Sequence, residues 1–134
     1  TKETVVADLG LIDYQVTDSE PCGEIILRLR EEKELCGAII VDDSGNLRGM
    51  LSRNFVLEWL LGQRYGIDAF RKKPISAVLD FNQRPTLCIP ASLQVLKAVE
   101  QSFQRPKEYV DDPVAIAMED GSYRMVDMRM LLMA

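Results

Sequence analysis

The sequence predicts an α/β fold made of two β-α-β-β-α repeats related by pseudo-twofold symmetry. Three observations predict it. Residues 37–55 read GAIIVDDSGNLRGMLSRNF: an apolar run, an acidic turn, a second apolar run and a serine that opens a helix. Residues 113–130, PVAIAMEDGSYRMVDMRM, repeat that order in other letters. Upstream of each copy, a short extended segment leads into an amphipathic helical stretch.

Within the repeats, Ala38-Ile39-Ile40-Val41-Asp42 aligns with Val114-Ala115-Ile116-Ala117-Met118. Each is a short apolar run bounded by turn residues, the pattern of a buried strand. Asp43-Ser44-Gly45-Asn46 and Glu119-Asp120-Gly121-Ser122 read as hairpin turns, because Gly and Asn tolerate positive φ. The second copy's turn is expected to be one residue shorter. Second strands follow, Leu47 to Leu51 and Tyr123 to Val126. Ser52 and Asp127 then stand as helix N-caps, their side-chain oxygens able to accept from orphan N–H groups.

The helix after Ser52 is expected to bury Phe55, Val56, Trp59 and Leu60, and the helix after Asp127 to bury Met130, Leu131 and Ala134. The upstream helices carry Cys22, Ile25, Ile26 and Leu29 in one copy and Val95, Ala98, Val99 and Ser102 in the other. Between the copies, residues 64–70 read as a short helical piece and KKPISAVLD as a strand given to the second half. The repeats are placed at residues 8–70 and 71–134. A half of this size buries too little surface to be comfortable alone, so the halves are expected to pack together. The chain begins at Thr and stops inside an apolar run, and is read as part of a longer protein.

Composition removes several function classes. The net charge is −5, against the clustered cations that phosphate backbones require, so a nucleic-acid partner is not expected. Arg71-Lys72-Lys73 is the one compact basic run and reads as a solvated loop. There is no histidine, which removes Ser-His and Cys-His nucleophile pairs and most transition-metal sites. Cys22, Cys36 and Cys88 lack CxxC spacing and read as reduced, largely buried thiols of a cytoplasmic protein. No apolar run has the length of a membrane span. Asp111-Asp112-Pro113 and the acids of the two turns read as turn residues and not as metal ligands.

GAIIVDDSGNLRGMLSR followed by an amphipathic helix resembles the cystathionine-β-synthase (CBS) domain, and PVAIAMEDGSYRMVDMRMLL resembles a second one. The pair resembles a tandem CBS (Bateman) module of the kind found in bacterial signalling proteins. The resemblance implies a non-catalytic regulatory module that homodimerises through its helices and controls an attached output domain. It implies a regulatory ligand, AMP, ADP, ATP or S-adenosylmethionine, in the cleft between the repeats.

In the family's ligand-binding repeats, a Gly and two apolar residues precede a Ser or Thr that meets phosphate, and an Asp three residues later holds the ribose. Here the first repeat has Gly49, Met50, Leu51 and Ser52, then Phe55 in place of Asp. The second has Arg124, Met125, Val126 and Asp127, then Met130 in place of Asp.

The candidate ligand-binding residues are therefore Ser52, Arg53, Arg124 and Asp127, with no catalytic and no metal-binding residue. Ser52 reads either as an N-cap alone or as a phosphate or hydroxyl contact. Arg53 opposes the dipole of the helix it opens, so it reads as a ligand contact or as surface charge. Arg124 is expected to pair with Asp127, or else to meet an anion. Arg129 is expected to face solvent. Met128, Met130 and Met133 cannot all face one core, so at least one should be exposed. The alternative function is a ligand-free dimerisation scaffold, favoured by the two missing ribose carboxylates.

Overall fold

A computed structural model describes residues 4–60, 71–80 and 85–134. The expectations for residues 64–70 and for the side chains of Trp59 and Leu60 lie outside the described residues. The chain divides into two compact units, Tyr14–Pro85 and Thr1–Asp13 with Thr86–Ala134.

In the unit Tyr14–Pro85, β1 (Gln15–Thr17) leads to α1 (Cys22–Glu31), β2 (Gly37–Val41) and β3 (Leu47–Ser52). Then come α2 (Arg53–Phe55), continued by a wider helical turn over Val56–Leu60, and α3 (Ile75–Leu79). The sheet order is β1-β2-β3, with β1 parallel to β2 and β2 antiparallel to β3. Every residue of β2 is buried, which is why GAIIV is an unbroken apolar run and not an alternating one. Cys22, Ile25, Ile26 and Leu29 of α1 are buried at the i, i+3, i+4, i+7 positions of one helical face.

The other unit repeats this order as β4 (Cys88–Pro90), α4 (Val95–Phe103), β5 (Val114–Ala117), β6 (Tyr123–Val126) and α5 (Met128–Leu132). Its sheet order is β4-β5-β6, again with a parallel and then an antiparallel pair. Ile89, Val114, Ile116 and Val126 from the sheet meet Val95 and Ala98 of α4 and Met128 and Leu131 of α5 in one core.

The segment that leads into each sheet belongs, by packing, to the unit of the other sheet. Val6 N–H donates to Leu93 O and Ala7 N–H to Ala91 O, both at 2.9 Å. In the other unit Ile75 N–H donates to Glu20 O at 2.8 Å and Ser76 N–H to Asp18 O at 2.9 Å. The bridges Val5↔Gln94 and Pro21↔Pro74 complete the equivalence. Residues 4–8 and 73–77 are thus the same strap, exchanged between the two halves of the chain.

Several expectations need correction. KKPISAVLD is not a strand: Ile75–Leu79 is helical, with Pro74 at the N-cap and Ile75 and Val78 buried at i, i+3. The two turns do not differ in length. Asp42 N–H donates to Asn46 O and Met118 N–H to Ser122 O, each at 2.9 Å, with Gly45 and Gly121 at φ 87° and 88°. The extra residue of the first copy is Arg48, a bulge in β3, since Val41 pairs with Leu47 and Ile40 with Gly49. The buried face of α5 is Met128 and Leu131, while Met130, Met133 and Ala134 are exposed. Of the cysteines only Cys22 is buried; Cys36 is intermediate and Cys88 exposed. Arg129 is exposed, as expected.

Candidate functional site

Each unit places one predicted cap at the end of its antiparallel pair. Ser52 closes β3 opposite Gly37, where a Cβ would stand 2.6 Å from Leu51 O, so only glycine admits this close approach. Ser52 is buried and its Oγ accepts from Phe55 N–H at 3.1 Å. Asp127 follows β6 and its Oδ1 accepts from Met130 N–H at 2.7 Å. Both side chains therefore satisfy an orphan donor of the helix they open.

The two arginines are held by their own units. Arg53 N–H donates to Cys36 O at 2.8 Å, and its Nη1 donates to Glu32 O at 3.2 Å and Leu35 O at 3.5 Å. Its guanidinium thus caps the carbonyls just past α1, which offsets its unfavourable place at the start of α2. Arg124 Nη1 donates to Tyr123 O at 3.0 Å and Ser122 Oγ at 3.2 Å, and lies 3.5 Å from Asp13 Oδ1. Its acid is Asp13, not the expected Asp127, because residues 4–13 pack beside β6: Ile12 and Met125 exchange backbone hydrogen bonds of 2.8 and 3.0 Å. Nothing in the sequence singles out Asp13, since its nearness to Arg124 depends on the exchanged strap.

Ser52 and Arg53 are adjacent in one unit; Arg124 and Asp127 belong to the other, where Arg124 pairs with Asp13 and Asp127 caps its helix. At the positions of the absent carboxylates, Phe55 is half-buried and Met130 is 39% exposed. Met130 Cε lies over Gly10, 3.1 Å from where a Cβ would be.

Burial pushes the Cys22 thiol up to about 11, so it stays protonated at neutral pH and is no thiolate nucleophile. Among the described residues no group of three or more His, Cys, Asp or Glu side chains stands ready to hold a metal. Nor, among them, is any helix long and apolar enough to cross a membrane.

No protein-family model matches the sequence, and no curated protein matches it. Solved structures do match its fold. CBSX2 in complex with AMP is 18% identical with a TM-score of 0.64, over 96% of this chain and 93% of that one. A CBS domain-containing protein from Bacillus anthracis is 16% identical with a TM-score of 0.69, over 98% and 92%. The CBS domain of a bacterial CNNM/CorC family Mg2+ transporter in complex with ATP is 12% identical with a TM-score of 0.68, over 98% and 86%. The fold is that of CBS-domain proteins, with two CBS-type units in one chain.

Proposed function

We propose that the chain is a non-catalytic regulatory module that binds an adenine nucleotide and passes the bound state to an attached output domain. The observation that carries this reading is the shared fold over nearly the whole chain with CBSX2 in complex with AMP and a transporter CBS domain in complex with ATP. On this reading the ligand is held at the capped helix starts of the repeats 8–70 and 71–134. Ser52 and Asp127 offer the helix N-termini they cap, and Arg53 and Arg124 supply charge beside them. The ligand acts by population shift, favouring one arrangement of the module over another in proportion to its differential affinity. A cytoplasmic location and a homodimer belong to the same proposal.

A specific observation favours a second reading, a ligand-free dimerisation scaffold. Ser52 and Asp127 already accept from their helices, Arg53 and Arg124 are bonded within their units, and Phe55 and Met130 replace the ribose carboxylates.

A thermal-shift panel of AMP, ADP, ATP and S-adenosylmethionine separates the two. A ligand at about 100 times its Kd stabilises the folded state by about 2.7 kcal/mol, a shift of several degrees for a domain of this size. A shift from an adenine nucleotide supports the sensor. No shift from any of the four, with a dimer that survives dilution, supports the scaffold.

A further inference from the structure

The unit containing β4–β6 holds an open pocket of about 500 Å³ at the hairpin end of its sheet. Val5 and Ala7 of the strap form one wall, Ala91 and Ser92 after β4 another, and Met118, Glu119 and Asp120 of the β5–β6 turn a third. This is the opposite end of the sheet from Asp127. Ala117 pairs with Tyr123 beside the pocket, whereas Val114 pairs with Val126 at the far end, where Asp127 follows.

The exchanged straps identify the same place in the other unit, residue by residue. There Pro74, Ser76, Asp18, Ser19, Asp42 and Asp43 stand where Val5, Ala7, Ala91, Ser92, Met118 and Glu119 stand here. That counterpart is polar and closed on itself. Ser19 Oγ donates to Asp43 Oδ1 at 3.5 Å, and the bulged Arg48 reaches to 3.7 Å from Asp18 Oδ2. In the pocket's unit Ala91 stands where the other unit has Asp18, Met118 stands where it has Asp42, and β6 has no bulge to carry an arginine. Glu119 is left without a hydrogen bond or ion pair to any described residue.

We infer that this pocket is a second binding site, for a small guanidinium or ammonium ligand on a short alkyl stem. The cation meets Glu119, and the stem lies on Val5, Ala91 and Met118. Two features select this chemistry. The walls are apolar, so the ligand must offer carbon; the rim holds carboxylates, so its head must be positive. Asp120 is less available than Glu119, because its Oδ1 already accepts from Ser122 N–H at 2.9 Å. Occupancy also fastens the strap, since Val5 and Ala7 are walls of the pocket and the amides of Val6 and Ala7 donate to Leu93 O and Ala91 O.

The site lies apart from the caps, uses no nucleotide, and stands or falls independently of the proposed sensor. The test is an amide NMR titration with n-butylguanidinium, its neutral isostere n-butylurea and the anion pentanoate. Saturable shifts at Ala7, Ala91 and Glu119 are expected with a Kd on the order of 1 mM, suited to a ligand of this size. Amide exchange at Val6 and Ala7 should slow on saturation. Glu119→Gln should weaken binding about three- to fivefold, as for a solvent-accessible ion pair. Ser92→Trp, at an exposed rim position away from the core, should block the pocket with the spectrum otherwise unchanged. Equal affinity for n-butylurea, an unaltered Kd in Glu119→Gln, or no saturable shift from n-butylguanidinium would each overturn the assignment.

Discussion

Arg124 Nη1 stands 3.5 Å from Asp13 Oδ1, joining β6 to the segment that precedes β1. The Asp13 side chain is 66% exposed, so solvent screens the pair and its coupling should be small. In a double-mutant cycle of Asp13→Ala and Arg124→Ala, urea unfolding should give a coupling of about 1 kcal/mol or less. A coupling several times larger would mean that this contact, and not the backbone pairing of Ile12 with Met125, holds the strap.

The two caps should matter for stability whatever they do for a ligand. Ser52→Ala and Asp127→Ala should each cost roughly 0.5–2 kcal/mol in denaturant unfolding, since each leaves an N–H without its acceptor. Asp127→Asn keeps an acceptor and should cost less than Asp127→Ala. If Ser52→Ala were neutral, its hydroxyl would have no structural role and the ligand-contact reading would gain.

The glycines of the turns and of β2 should behave differently. A Cβ at Gly45 or Gly121 meets nothing within 4 Å, so Gly→Ala there carries only the strain of positive φ, about 1 kcal/mol. Gly37→Ala drives a Cβ to 2.6 Å from a backbone oxygen, and the strand must move. Its loss of thermal stability should exceed that of either turn variant.

Stability should fall in acid through the two turn aspartates. Hydrogen bonds from Asn46 and Ser44 N–H hold Asp42 below the usual carboxylate range, and Ser122 does the same for Asp120. A depressed folded pKa stabilises fully above the unfolded value of about 3.9 and is lost as pH falls through the lowered folded value. The urea midpoint of the wild type should therefore drop below about pH 4, and the double variant Asp42→Asn, Asp120→Asn should drop less steeply there. Parallel curves for both proteins would remove these turns as a source of acid sensitivity.

The sheets and caps were legible in the sequence because local chemistry specifies them. GAIIV and PVAIA are apolar without a break, the turn glycines sit where φ is positive, and Ser52 and Asp127 each precede a helix they cap. What was hidden depends on distant partners. KKPISAVLD resembles a strand by composition, but Ile75 and Val78 bury a helical face against another part of its unit. The Arg48 bulge appeared in the alignment as a turn of unequal length, because a single sequence shows an extra residue without showing which side of the turn absorbs it. Arg53 and Arg124 were visible as candidates, but their partners, the Glu32 and Leu35 carbonyls and Asp13, are set by tertiary packing.

The proposed function requires this chain to take an adenine nucleotide despite Phe55 and Met130 in place of the ribose carboxylates. Isothermal titration calorimetry of AMP and of ATP into the intact chain tests it most directly. A saturable heat is expected from at least one of them, with a defined stoichiometry and a Kd of about 1 mM or tighter. No saturable heat from either, at two temperatures so that a vanishing enthalpy cannot hide binding, would contradict it and leave the scaffold reading in its place.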